Sequence, residues 1–340
     1  MASVFGNNIK LSIFGQSHSE AIGMSFDGLP CGFKIDMDEL QLFLSRRAPG
    51  RSKLTSKRFE KDVPEFVSGI FDGKTCGAPL AALIYNEDVR SAGYEDIKDS
   101  PRPSHADFTA EEKFRGYQDY RGGGHFSGRL TAALCVAGGI AIQMLERNGI
   151  KVKAVLESVC GQESGIDELI AEAISEGDSL GGTIACTIVG LPCGVGEPMF
   201  DGLENRISQA VFAIPAIKAI EFGDGFKLSE LKGSEARDEY VASDGKIALT
   251  SNHNGGILGG ISTGEAVNFR VCIKPTPSIS MPSKSVSFSK GENVELKISG
   301  RHDPCIALRA VPCVEAAAAL AILDLMLGDI NFSGRFVFND

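Results

Sequence analysis

Two stretches of the chain are so evenly apolar that they cannot lie on a surface. Residues 127–148 and 314–327 are rich in alanine, and Leu134, Val136, Ile140, Ile142 and Leu145 leave the first with little polar face. A helix that is hydrophobic all round is buried on every side. Each stretch has an arginine near its start: Arg129 precedes Leu145 by 16 residues, and Arg309 precedes Leu325 by 16. The pair suggests an internal duplication, two α+β halves around paired core helices. No linker-like segment separates the halves, so residues 1–340 read as one continuous domain.

Shorter elements surround these runs. Segments 9–14, 21–26, 66–71, 80–85, 151–159, 183–189 and 267–273 read as strands. Asp36, with Glu39 three residues on, opens a helix that ends near Pro49-Gly50. Amphipathic helices are expected over 166–175 and 203–212. Segment 86–107 is polar and without period, a long loop of the kind that is usually functional.

The chain holds 34 Lys+Arg against 44 Asp+Glu, a net charge of −10. Its average field repels nucleic acid and anionic membrane, so an anionic ligand requires a gathered basic pocket. One basic run stands out: Arg46, Arg47, Arg51, Lys53, Lys57 and Arg58 fall within 45–58, where no acid occurs. Such a run is either a solvated loop or an anion clamp, since guanidinium matches phosphate and carboxylate bidentately. Nine cysteines without a C-x-x-C pattern, several inside apolar runs, read as small buried residues in a reducing compartment. No uninterrupted apolar run approaches the roughly 18 residues that span a bilayer. The N-terminus lacks a basic segment and an apolar signal core. A cytoplasmic location is the resulting expectation.

Glycine is in excess, 40 of 340 residues, and it clusters. In Asp119-Tyr120-Arg121-Gly122-Gly123-Gly124-His125-Phe126-Ser127-Gly128-Arg129, three glycines allow close backbone approach to a ligand. The spacing fits neither a P-loop nor a dinucleotide fingerprint. The flanking Arg121, His125, Ser127 and Arg129 favour a binding site over a plain turn. The cluster from Gly255 to Gly264 reads equally as a hairpin or as a bend against a flat ligand. Of the five histidines (His18, His105, His125, His253, His302), four sit in polar segments suited to proton transfer near neutral pH. No H-x-x-x-H or H-E-x-x-H pattern marks a metal site, and no metal is expected.

Taken in order, the motifs resemble one family, chorismate synthase. They are Gly15-Gln16-Ser17-His18, Arg46-Arg47-Ala48-Pro49-Gly50, Pro101-Arg102-Pro103-Ser104-His105-Ala106-Asp107 and Asp119-Tyr120-Arg121-Gly122-Gly123-Gly124. Next come Gly259-Gly260-Ile261-Ser262-Thr263-Gly264, Lys274-Pro275-Thr276-Pro277-Ser278, Gly300-Arg301-His302-Asp303-Pro304-Cys305 and Arg309-Ala310-Val311-Pro312. The set spans nearly the whole chain. The resemblance implies a fold, an α+β β-α-β sandwich with core helices between two antiparallel sheets. It also implies a homotetramer and a reaction: 1,4-anti elimination of phosphate from 5-enolpyruvylshikimate 3-phosphate to give chorismate, with reduced FMN required.

The resemblance also assigns roles. His18 looks like the acid that assists the leaving phosphate. His105 looks like the residue that protonates or steadies the reduced flavin near N1, and Asp303 like the carboxylate acting near flavin N5. Ser17 and Ser127 look like supporting hydroxyls. Arg47, Arg129 and Arg309 are expected on the substrate. Flavin contacts are expected from His125, Phe126, Ser127, Ala216, Gly259, Lys274, Pro275, Thr276, Pro277, Ser278 and Arg301. Arg47 and Lys53 match positions tied to NADP, with NADPH a candidate reductant. The chain departs from the family pattern at Gln16, where glutamate is usual, and at Ser104, where glycine is usual. It departs again at Pro215, where asparagine is common, and across 125–131, where His125-Phe126-Ser127 resembles a subgroup. Two other readings stay open at this point: a flavin-binding homologue without lyase activity, and a His/Asp metal-dependent phosphatase.

Overall fold

A computed structural model describes residues 3–50, 54–55, 60–88, 95–243, 245–298 and 303–338. The chain begins with an antiparallel meander of β1 (Val4–Phe5), β2 (Lys10–Gly15) and β3 (Ala21–Asp27). Leu11 lies opposite Phe26 and Ile13 opposite Met24. α1 (Met37–Arg47) follows, capped as its sequence indicates: Asp36 Oδ1 accepts the Glu39 N–H at 2.9 Å. β4 (Glu65–Ser68) and β5 (Leu80–Tyr85) complete a five-stranded antiparallel sheet of order β1-β2-β3-β5-β4. Along β5 buried and partly exposed residues alternate, the period of a strand with one face on a core.

The short helices α2 (Glu95–Asp99) and α3 (Asp107–Phe114) lead to the first apolar helix, α4 (Thr131–Glu146). Then come β6 (Lys151–Val159), α5 (Ile166–Glu176), β7 (Gly182–Val189), α6 (Leu203–Val211), β8 (Ile217–Phe222) and β9 (Val267–Ile273). These strands form a second antiparallel sheet, β8-β9-β7-β6. α7 (Ala307–Gly328) is the second apolar helix. The sheet orders β2-β3-β5-β4 and β6-β7-β9-β8 are the same pattern. In each half a helix follows the second strand and a long apolar helix follows the fourth. That is the duplicated arrangement the two arginine-led runs suggest.

α4 packs on the first sheet, α7 on the second, and the two helices lie against each other, so this is an α+β sandwich with helices as the filling. Ala132 to Leu145 are all buried. The helices approach closely because Gly138 has no side chain: a Cβ there would stand 2.2 Å from that of Ala316. Contrary to expectation, Gly128–Glu146 and Ala307–Gly328 are long and apolar enough to cross a bilayer. Interspersed glycine and small polar residues interrupt the apolar run without breaking the helix. Their apolar surface is spent on packing, with 89% and 83% of these windows buried.

Two buried acids anchor α7. Glu315 takes the Arg46 guanidinium bidentately, at 2.6 and 3.0 Å, and accepts the Ala154 N–H at 2.8 Å. Asp324 accepts the backbone N–H groups of Asn7, Asn8 and Ile9 and pairs with Arg206 Nη2 at 2.5 Å.

Some expectations need correcting. α7 starts at Ala307, seven residues before position 314, and contains Pro312. The proline removes one helical hydrogen bond. The turn before it is held by Arg309, whose Nε donates to the Arg47 carbonyl at 2.8 Å. Segment 86–107 is not all loop, since it contains α2. There Asp99 accepts from Ser287 and Ser289 of a hairpin (Ser283–Ser287 and Glu292–Leu296). That hairpin, the Tyr240–Ser243 and Lys246–Leu249 pair, and β8 are strands that sequence patterning does not reveal.

Candidate functional site

A cavity of about 800 Å³ lies where loops of the first half meet loops of the second, beside the end of α1 and the start of α7. This is in the upper part of the range for small-molecule sites, about 300–1,000 Å³.

The glycine run forms one wall. Gly122, Gly123 and Gly124 have φ of 59°, 84° and 53°, three consecutive left-handed residues. A Cβ on Gly122 would lie 2.6 Å from His18 Nε2 and 2.8 Å from Ser17 Oγ, and one on Gly123 would lie 3.2 Å from His105 Nε2. The bare backbone therefore passes between the two histidines. Ser17 N–H donates to the Gly124 carbonyl at 3.0 Å, fastening the His18 turn to the run. His18 and Ser17 sit behind Gly122, while Gly122 itself faces the cavity.

His105 lies on a strained turn. Ser104 before it has φ of 60°, the left-handed conformation for which glycine is the usual choice. Lys274 Nζ donates to the Ser104 carbonyl at 2.5 Å, tying this turn to segment 274–278. His105 Nδ1 is 2.7 Å from Asp107 Oδ1. Arg102 donates to Asp107 through Nε at 2.7 Å and Nη2 at 2.8 Å, and through Nη1 to Ser278 Oγ at 3.3 Å. Burial pushes the Asp107 carboxyl up, but the hydrogen bonds from Arg102 and His105 outweigh it and hold the group well below the usual range.

The arginines meet on the far side. Arg47 is 2% exposed and Arg129 5% exposed, depths at which a cation needs a partner. Asp62 supplies it, pairing with Arg129 through Oδ1 and with Arg47 through Oδ2 at 3.1 Å. Glu60 stands 3.6 Å from Arg129. Arg309 Nη1 pairs with Asp303 Oδ2 at 2.6 Å. Among the described residues, Asp303 Oδ1, Ser17 Oγ and Thr276 Oγ1 are buried without a hydrogen-bond partner. Buried orphans of this kind call for a ligand or ordered water.

The structure thus gathers His105, His125, Phe126, Ser127, Ala216, Lys274, Thr276, Pro277, Ser278, Asp303, Arg47, Arg129 and Arg309 around one cavity. Ala216 is held at φ of 73°, a second strained residue on the rim. His125 is fixed at both nitrogens, with Nδ1 2.8 Å from the Gly15 carbonyl and Nε2 2.8 Å from Ser3 Oγ. Pro275 is not among the lining residues. Nor is Gly259, which with Gly260 makes the two-residue turn of the hairpin Ile257–Leu258 and Ile261–Ser262. Of its two readings, the 255–264 cluster takes the hairpin. Arg301, His302 and Lys53 lie outside the described residues, as do Arg51, Lys57 and Arg58 of the basic run. His253 pairs with Asp224 at 2.7 Å and does not line the cavity.

Sequence reasoning missed the acids Glu60 and Asp62, and it gave the cation Arg102 no role beyond its place in the 101–107 motif. A buried cationic cluster needs buried counter-charge. The nearest acids after the basic run, Glu60 and Asp62, are where that requirement points.

The chain matches the family model described as chorismate synthase over residues 9–327. It is 42% identical over 347 residues to a chorismate synthase of Korarchaeum cryptofilum, covering 94% of this chain and 96% of that one. It is 45% identical over 323 residues to one of Chitinophaga pinensis, covering 95% and 96%. A solved structure described as the crystal structure of chorismate synthase superposes with a TM-score of 0.74 at 23% identity, covering 98% of this chain and 96% of that chain.

Proposed function

The chain belongs to the chorismate synthase family, and from that premise we propose how its cavity works as a lyase. The substrate in this reading is 5-enolpyruvylshikimate 3-phosphate, a phosphate ester with two carboxylates. Arg47, Arg129 and Arg309 bind its anionic groups. In the elimination a C–O bond to phosphate and a ring C–H bond break. The C–H electron pair ends in the new ring double bond, and the C–O pair leaves with phosphate. His18 gives a proton to the departing phosphate oxygen. Asp303, with Oδ1 unengaged by the described residues, serves the ring proton. Ser17 and Ser127 orient the groups beside them.

The family carries a requirement for reduced flavin, and the cavity suits one. Gly122 on the wall and the buried Gly123 beside it leave room where side chains would close against the histidines, and buried hydroxyls of Ser17 and Thr276 lack partners among the described residues. We assign the flavin as FMN, held by His125, Phe126, Ser127, Ala216, Lys274, Thr276, Pro277 and Ser278, with Arg301 beyond the described residues. When bound, reduced FMN supplies electron density to the reacting ring. His105 holds a proton at the flavin's N1 side. Reduced FMN is supplied from outside the chain in this reading, with NADPH a candidate reductant, and the protein works as a homotetramer in the cytoplasm.

The observation that supports the proposal is one cavity lined by His105, Asp303, Arg47, Arg129 and Arg309, with His18 directly behind its Gly122 wall, in a chain of this family. The two other readings from sequence draw no support from the comparisons. The test is an anaerobic assay with enolpyruvylshikimate phosphate and reduced FMN. Equal release of phosphate and chorismate is expected. Flavin binding without either product overturns the proposal.

A further inference from the structure

The Nδ1 atom of His105 has two polar neighbours of opposite kind. Asp107 Oδ1, at 2.7 Å, only accepts when ionised. Arg102 Nη2, at 3.1 Å, only donates. A neutral imidazole can satisfy one of them at Nδ1 and not both. Arg102 Nη2 has two hydrogens and can reach both Asp107 and Nδ1, but a bare Nδ1 would then hold its lone pair 2.7 Å from a carboxylate oxygen that only accepts. Asp107 is ionised, because the bonds it accepts from Arg102 outweigh the effect of burial. The proton on Nδ1 therefore goes to Asp107. Nε2 is left carrying its lone pair beside Gly123, on a ring that lines the cavity.

We propose that Asp107 is the positioning residue of His105. It fixes the neutral ring as the Nδ1–H tautomer, so that Nε2 takes up and returns a proton at the cavity wall. Arg102 is the lock on Asp107, and Ser278 couples the lock to segment 274–278. The use made of that proton rests on the lyase reading above, while the tautomer itself does not.

Asp107 also accepts the Arg102 backbone N–H at 3.0 Å and so closes the 102–107 turn. Lost turnover alone would not separate that role from positioning. The deciding measurement is ¹⁵N NMR of the histidine ring nitrogens in the ligand-free protein, with His105 assigned by its loss in His105→Gln. The wild-type neutral ring is expected as Nδ1–H. In Asp107→Ala only the donor Arg102 faces Nδ1, and the pattern is expected to reverse to Nε2–H. Asp107→Leu, which likewise offers no acceptor, is the second variant should the alanine form not fold.

In anaerobic turnover the variants are expected to lose kcat by about 10²-fold or more, with KM within about threefold. A wild-type ring that is Nε2–H overturns the proposal whatever the variants do, as does a ring pattern unchanged in a folded variant. Absence of chorismate from the wild type would instead overturn the lyase reading and leave the NMR result standing.

Discussion

Asp62 and Arg129 form a buried ion pair at the edge of the cavity, and the same carboxylate reaches Arg47 at 3.1 Å. The arginines assigned to the substrate are therefore neutralised from within before an anion arrives. Burial pushes the Asp62 carboxyl up, but Arg47 and Arg129 outweigh it and hold it below its ordinary value. A depressed carboxyl gives stability that is present above the unfolded value, about 3.9, and is lost as pH falls through the lower folded value.

Asp62→Asn should then destabilise the protein at neutral pH by about 3–5 kcal/mol, because two buried guanidinium groups lose their shared partner. Millimolar inorganic phosphate should restore more of the melting temperature in the variant than in the wild type, since it can take the vacated charge position. A variant as stable as wild type, or one indifferent to phosphate, would remove Asp62 from this role.

Gly122 tests the placement of His18. Its φ of 59° disfavours any other residue, and a Cβ would press on the His18 ring and on Ser17 Oγ. We expect Gly122→Ala to cost about 1–2 kcal/mol of stability. Turnover should fall by about 10²–10⁴-fold, the range for misplacing a general acid or base. Wild-type turnover in a folded Gly122→Ala protein would show that His18 is not used.

What could be read from sequence divides along physical lines. α4 and α7 are legible because an all-round apolar helix has one solution, burial. The Asp36 cap is legible because its partner is three residues away. β8 is not, because Ile217 is buried but Lys218 and Ala219 are both exposed at a register shift, so no alternation survives. The Asp62–Arg129 pair joins residues 67 apart, and no local period encodes such a contact. Gly259 and Gly122 look alike in sequence, yet one makes a hairpin turn and the other lies against a histidine.

Asp324 measures the anchoring of the fold without touching the cavity. It is 1% exposed and accepts three consecutive backbone N–H groups as well as the Arg206 guanidinium. Asp324→Ala strands a buried cation and three donors. A loss of about 3–5 kcal/mol of unfolding free energy, measured by denaturant titration, is expected. A loss under about 1 kcal/mol would mean that water satisfies those groups.

Asp238 gives a pH-dependent signal at the base of the second glycine cluster. It accepts from Ser251 Oγ at 2.6 Å, from the His253 and Asn254 N–H groups, and from Asn254 Nδ2 at 2.8 Å. Burial pushes its carboxyl up, and these bonds outweigh it to bring the value down to about 2. Its contribution is full above the unfolded value near 3.9 and fades as pH falls toward 2. With solvent screening, Asp238→Asn should cost about 1 kcal/mol at pH 7 and much less at pH 2. Urea midpoints at the two pH values read the difference, and a penalty that grows on acidification would contradict it.

Ser104 holds a left-handed φ of 60° without glycine's freedom, and its carbonyl is the acceptor for Lys274 Nζ at 2.5 Å. The strain of an L-residue there is about 1–2 kcal/mol. Glycine would remove it while making the unfolded chain more flexible, an opposing effect of about 0.4–1 kcal/mol. Ser104→Gly is expected to raise stability by about 0.5–1 kcal/mol, because the Lys274 bond uses only backbone and survives the change. Equilibrium unfolding in urea gives the sign. A destabilised glycine variant would mean that the serine hydroxyl itself holds the His105 turn.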